Sequence, residues 1–202
     1  HSRFSIMIDA KPSTIGVKDS FRQAFLNFGM PEAVLSDNGS QFAGFRGGYT
    51  IFERWLMDHE ILPIHGRIMH PQTQGKIERF HRTMNQELIK NKHFADLYEA
   101  DIQLQNWRRK YNEVRPHEAL GMKPPAQVYI PSTRHYKDAV ESYEYDGSNH
   151  VYKVNNWGYL RWASSRIFLS ETMADTYLEI RPSQSRDSFE VCYSQFKIAE
   201  ID

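Results

Sequence analysis

A change of texture near Pro131 constrains this 202-residue chain more than any other feature. Before it, apolar residues recur at helical spacing between short apolar runs, as at Val17, Phe21, Ala24, Phe25 and Phe28. After it, only short runs rich in Val, Ile, Tyr, Phe and Trp remain, separated by turn residues such as Asp146-Gly147 and Trp157-Gly158. Helices alternating with short strands imply a layered α/β domain, and closely spaced short strands imply a small all-β barrel. The spacing therefore predicts an α/β core over 1–130, a linker over 131–149 and a β-barrel over 150–202.

Local signals place the elements. Phe4 to Ile8 and Ala33-Val34-Leu35 read as strands, and Gly29 stands where a helix C-terminal glycine belongs. Thr50 with Glu53 three residues on is a capping box, so a helix is expected over 50–59. Ile61 to Ile64 reads as a short strand, with Pro63 favouring an edge or an end. Further helices are expected from Gln74 to Lys90 and from Asp96 to Tyr111, and strands at 151–154, 159–162, 165–169, 177–180 and 189–193.

Charge separates the candidate partners. Basic and acidic residues balance at 25 each, so the whole chain carries no polycationic footprint. The segment from His65 to His93 nevertheless holds six Lys and Arg against Glu78 and Glu87. No apolar run is long enough for a membrane span, so no membrane partner is expected. The single cysteine, Cys192, excludes a disulfide framework and favours a reducing, cytoplasmic setting. The chain opens on His1 without a signal-peptide pattern and reads as a piece of a longer protein.

Two carboxylates stand out. Asp37 follows an apolar strand directly, at the carboxyl end where open α/β sheets hold ligands. Glu78 falls in what reads as the first turn of the Gln74 helix, where the backbone dipole favours an acid. A plain structural role for Glu78 is a pair with Arg82 one turn on, worth ~0.2–0.5 kcal/mol. If the two acids converge, they suit a hard divalent cation such as Mg²⁺ or Mn²⁺, with Asp37 and Glu78 as ligands and a third acid still needed. Lys76, Arg79, Arg82 and Lys90 would then lie along one helix and its exit as phosphate contacts. Their ordinary reading is a solvated helix face. His65, His70 and His81 lack an accompanying cysteine and do not read as a zinc site. Asp9, before Pro12, reads as a turn acid.

Three segments carry a likeness to a known family: Ser36-Asp37-Asn38-Gly39-Ser40-Gln41-Phe42, then His70-Pro71-Gln72-Thr73-Gln74-Gly75-Lys76-Ile77-Glu78-Arg79-Phe80-His81-Arg82-Thr83, then Tyr111-Asn112-Glu113-Val114-Arg115-Pro116-His117-Glu118-Ala119-Leu120 running on to Ala126. In this order they resemble the DDE transposase and retroviral integrase superfamily, above all bacterial insertion-sequence transposases with an integrase core. The likeness covers about residues 1–130; the segments near Trp162, Phe168-Leu169 and Val191-Cys192-Tyr193 are similar, more weakly, to the β-barrel tail of such transposases, which implies a small SH3-like barrel.

The resemblance implies an α/β, RNase H-like integrase core in which Asp37 and Glu78 are the second and third acids of the catalytic triad. It implies Mg²⁺ or Mn²⁺ as cofactor, and DNA (element ends and target) as partner of a homo-oligomer. The implied reaction is 3′-end processing and strand transfer, with no covalent protein intermediate. Gln72 and Gln74 are then further DNA contacts beside the acids. The family's first Asp lies on a strand before the turn that His1-Ser2-Arg3 resembles. The core is therefore expected to lack its first two strands and first acid, and the chain alone to be inactive. Two alternatives stay open: a non-catalytic DNA-binding remnant of a mobile element, and an RNase H-like nuclease without strand transfer.

Overall fold

The computed structural model describes residues 14–36, 48–65, 71–90, 92–184 and 187–202. The strand expected at Phe4 to Ile8, Asp9, Asp37 and His70 lie outside the described residues. The described chain is mixed α/β, with a tail built from strands. Its elements are α1 (Thr14–Phe28), β1 (Ala33–Ser36), α2 (Ile51–Asp58), β2 (Leu62–His65), α3 (Pro71–Met84), α4 (Leu97–Glu113), α5 (Pro125–Val128), β3 (His150–Lys153), β4 (Tyr159–Trp162), β5 (Ser165–Phe168), β6 (Tyr177–Pro182), β7 (Phe189–Tyr193) and β8 (Phe196–Ile201).

Contacts divide the chain into two compact units that alternate along the sequence. One comprises residues up to Met30 together with Arg67–Tyr136; the other comprises Pro31–Gly66 together with Lys137–Asp202. The sequence partition at 130 and 150 runs in chain order, whereas this grouping puts β1, α2 and β2 with the tail.

In the first unit, α1 ends at Gly29, whose φ of +77° is open to glycine at low cost. A Cβ there would stand 2.5 Å from the Ser132 carbonyl oxygen, so the position also requires a bare backbone. Helix α4 is capped by Asp96, whose side chain accepts from the Glu99 N–H. Leu104 and Trp107 of α4 are buried with Leu88, and Phe80, Met84 and Tyr111 pack around them.

Two features of α3 differ from expectation. The helix begins at Pro71 rather than Gln74, because proline is well suited to a first helical position. Its regular winding stops at Met84, where a π turn over Asn85–Ile89 takes over; the Lys90 N–H closes it on the Asn85 carbonyl. Glu78 accordingly stands about two turns into the helix, beyond the reach of the N-terminal dipole.

In the second unit, β1 and β2 pair in parallel, Ala33 opposite Leu62 and Ser36 opposite His65. The capping box at Thr50 and Glu53 forms as the spacing predicts. Helix α2 buries Phe52, Leu56 and Met57, and Met57 belongs to the same apolar cluster as Val154, Leu160, Met173, Leu178 and Val191 of the tail. Hydrogen bonds join the same elements: the Tyr49 hydroxyl donates to the Ile198 carbonyl, and the Ser170 and Thr172 hydroxyls donate to the Tyr49 carbonyl.

The tail strands form a four-stranded antiparallel sheet, ordered β3-β6-β7-β8, and a separate β4-β5 hairpin. β3 to β7 coincide closely with the expected strands. β8 is an addition that the sequence reading missed. Val154, Leu160, Leu178 and Val191 are fully shielded in this core. The turn into β4 depends on Gly158 (φ +78°), where a Cβ would fall 2.2 Å from the Ser170 carbonyl oxygen.

Candidate functional site

Helix α3 carries the residues of the basic segment, and its packing decides which of them meet solvent. Phe80 and Met84, one turn apart, face the cluster of Leu88, Leu104 and Trp107. At 100° per residue, Glu78 and Arg82 stand about 160° away from Phe80. Both are exposed, as is Arg79. Gln72, Gln74 and Lys76 lie on the same helix and are described by their backbone alone. Lys90 is exposed at the end of the π turn.

The Glu78–Arg82 ion pair of the plain structural alternative does not form. Among the described residues no hydrogen bond or ion pair engages the Glu78 carboxylate, nor the head groups of Arg79 and Arg82. Helix α3 thus presents one carboxylate and two guanidinium groups to solvent without internal neutralisation. This arrangement costs little in water and leaves all three groups available to an external ligand.

The far end of the helix is treated in the opposite way. Glu87, in the π turn, accepts from Trp107 Nε1 at 2.9 Å and pairs with Arg115. Partial burial pushes the Glu87 carboxyl up, but the hydrogen bonds from Arg115 and Trp107 outweigh it and hold the group below its usual range. Arg115 lies over the Tyr111 ring at 5.5 Å, and His117 meets the same ring edge-on at 4.7 Å. Phe80 meets Trp107 at a tilt and Tyr111 edge-on, each at 5.5 Å between ring centres. The segment Tyr111 to His117 therefore braces α3 from behind while Glu78 faces outward. Trp107 is buried and Tyr111, one turn on, packs half-buried against the same cluster. The sequence reading did not find the Glu87–Arg115 pair, whose members are 28 residues apart.

A hard dication takes carboxylate oxygens, and Glu78 presents one with no competing partner. Asp37 lies outside the described residues. Among the described residues no group of three or more His, Cys, Asp and Glu side chains is arranged to hold a metal ion. Glu78 thus has the chemistry of one ligand in a set that the described residues do not complete. A half-open cleft of about 230 Å³ lies elsewhere, in the tail, lined by residues including Asn149, His150, Trp162 and Phe189. None of the residues singled out for catalysis lines it. Among the described residues no helix is long and apolar enough to cross a membrane.

Comparison with known proteins points to the same segment. The integrase core domain family matches residues 59–125, which contain α3, α4 and the bracing segment. An uncharacterized 39.2 kDa protein of insertion element IS476 from Xanthomonas euvesicatoria is 34% identical over 99 residues, covering 49% of this chain and 27% of that protein. An uncharacterized protein of insertion element IS136 from Agrobacterium fabrum is 31% identical over 99 residues, covering 48% of each. Among solved structures, a chain of the simian T-cell lymphotropic virus intasome, in complex with the PP2A regulatory subunit B56 gamma, aligns at 15% identity and a TM-score of 0.48, over 95% of this chain and 66% of that one. The matched region spans from about a quarter to about half the length of the two insertion-element relatives. With its motifs in family order, an integrase-core match across the helix that bears Glu78 and relatives encoded by insertion elements, this chain is similar to the DDE transposase and retroviral integrase superfamily over the segment that carries α3 and α4.

Proposed function

We propose that this chain serves DNA transposition or integration, through metal-dependent cleavage of a phosphodiester and strand transfer by a 3′-hydroxyl. The observation that carries the reading is the unpaired, solvent-facing carboxylate of Glu78, held on a helix that is packed and braced on its other side. In this reading the core is RNase H-like over 1–130, the tail over 150–202 closes as an SH3-like barrel, and Asp37 joins Glu78.

Glu78 and Asp37 would hold Mg²⁺ or Mn²⁺, which when bound supplies Lewis-acid stabilisation of charge at the phosphate. The residues of the chain do the positioning. Phe80, Trp107 and Tyr111 fix the back of α3, so that Glu78 is presented without rearrangement. Arg79 and Arg82 lie beside it as contacts for backbone phosphates, with Lys76, Gln72 and Gln74 on the same helix and Lys90 at its exit. No side chain is required as a covalent nucleophile, because water or a DNA hydroxyl attacks. DNA as partner, assembly of copies on it and a cytoplasmic setting belong to the same proposal.

The test uses the complete protein with a labelled DNA end and Mg²⁺. Glu78→Gln is expected to lower cleavage and joining by about a thousandfold or more while duplex binding stays within about twofold. Cleavage at the wild-type rate by this variant would refute the assignment. Cleavage without joined product in the wild-type protein would favour a nuclease instead.

A further inference from the structure

The β4–β5 hairpin has two unlike faces. Side chains alternate along a strand, so Leu160, Trp162 and Ile167 turn into the tail core while Tyr159, Arg161, Arg166 and Phe168 share the outer face. On that face Tyr159 is paired with Phe168, and Arg161 is directly opposite Arg166. Like charges placed directly across a ladder destabilise it. Both arginines are exposed, and among the described residues no ion pair engages either one. The tail as a whole is nearly neutral, with six basic and seven acidic residues from His150 to Asp202, so this is local clustering rather than general basicity.

Aromatic surface adjoins the two cations. The Arg166 guanidinium lies 4.6 Å from the centre of the Tyr159 ring, and that ring is 5.2 Å from Phe168. Phe168 is 37% exposed, and Trp157, two residues before β4, is 68% exposed. An anion between the guanidinium groups would relieve their repulsion, and phosphate suits their planar donors. Duplex DNA presents phosphates but keeps its bases stacked away, leaving the rings beside the arginines unused. A single strand offers both a phosphate and an open base face, the combination bound by cations interleaved with aromatic rings.

From this juxtaposition we propose that the outer face of the β4–β5 hairpin binds single-stranded DNA, with phosphate between Arg161 and Arg166 and an unpaired base on the neighbouring aromatic surface. The choice of DNA rests on the function proposed above; the preference for a single strand rests on the hairpin alone.

The experiment measures binding of the full chain, carrying Glu78→Gln to prevent turnover, to a fluorescent oligo-dT and to a blunt duplex of equal length across a salt series. Oligo-dT is expected to bind several-fold more tightly than duplex. Arg161→Gln and Arg166→Gln should each lower the magnitude of the log–log salt slope for oligo-dT by about 0.7. Trp157→Ala should weaken oligo-dT about tenfold and leave duplex unchanged. Melting temperatures of the arginine variants should stay level or rise, since a like-charge pair is removed, which separates lost binding from lost folding. Equal affinity for duplex and oligo-dT, or arginine variants with the wild-type slope, would overturn the proposal. The cleavage assay of Glu78→Gln tests the catalytic reading separately: loss of cleavage there alongside wild-type binding by the hairpin variants removes this inference alone.

Discussion

Helix α3 and strand β6 each carry a glutamate on a well-formed element, and they treat it in opposite ways. Glu179 of β6 is 2% exposed, accepts from Asn149 Nδ2 at 3.2 Å and is paired with Arg181. Glu78 of α3 is exposed and, among the described residues, unpaired. A buried carboxylate must find donors or it destabilises the fold, so the environment of Glu179 is consumed by structure. Nothing in the fold demands an acid at position 78, because water would solvate almost any polar residue there. The contrast teaches that the chemically available groups lie where the fold has left charge unspent, on α3 and on the outer face of the β4–β5 hairpin.

That contrast is open to attack in order of effect. Glu78→Gln should abolish the proposed DNA cleavage yet shift unfolding free energy by less than about 0.5 kcal/mol, as measured by urea titration. A large loss of stability would mean that Glu78 is structural after all. Gly158→Ala should cost about 3 kcal/mol, since it forces a Cβ onto the Ser170 carbonyl and burdens a left-handed backbone; thermal melting reads this directly. Glu179→Ala should cost about 2 kcal/mol, below the usual range for a broken buried pair because Arg181 can turn to water. A variant as stable as wild type would erase the distinction between the two glutamates.

The smallest effect is a pH dependence. Tyr193 donates to Asp58 Oδ1 at 2.5 Å, and burial, reinforced by that hydrogen bond, pushes its phenol up to about 12. A group whose folded value is raised contributes stability fully below its unfolded value of about 10 and loses it as pH climbs toward 12. Tyr193→Phe should therefore be less stable by about 1 kcal/mol at pH 8, with the gap to wild type closing and then reversing as pH climbs from 10 to 12 in denaturant titrations.

Much of the fold is legible in local spacing. The capping box at Thr50 and Glu53, the glycine after α1 and the β4–β5 pair with its two-residue turn are all settled by residues within a few positions of one another. β8 escaped because Ala199 and Glu200 interrupt the apolar alternation of Phe196, Ile198 and Ile201. The start of α3 was placed three residues late because Pro71 resembles a loop residue as readily as a first helical one. For the candidate site, Arg79 and Arg82 are exposed on α3, a placement shared by phosphate contacts and by a plain solvated face, while Asp37 lies outside the described residues. The pairing of Glu87 with Arg115 and Trp107 left no trace in any periodicity.

The order of motifs, the basic character of the segment around α3 and the switch from helical to strand texture near Pro131 were determined by the amino-acid sequence alone. Only the tertiary structure decided that Met57 of α2 enters the core of the tail, that β6 lies between β3 and β7, and that Glu179 rather than Glu78 is neutralised by a neighbour. The reason is physical. Propensity, capping and turn chemistry act over a few residues, whereas burial and ion pairing depend on which distant segments share a core, and that choice is made by the packing of the whole chain.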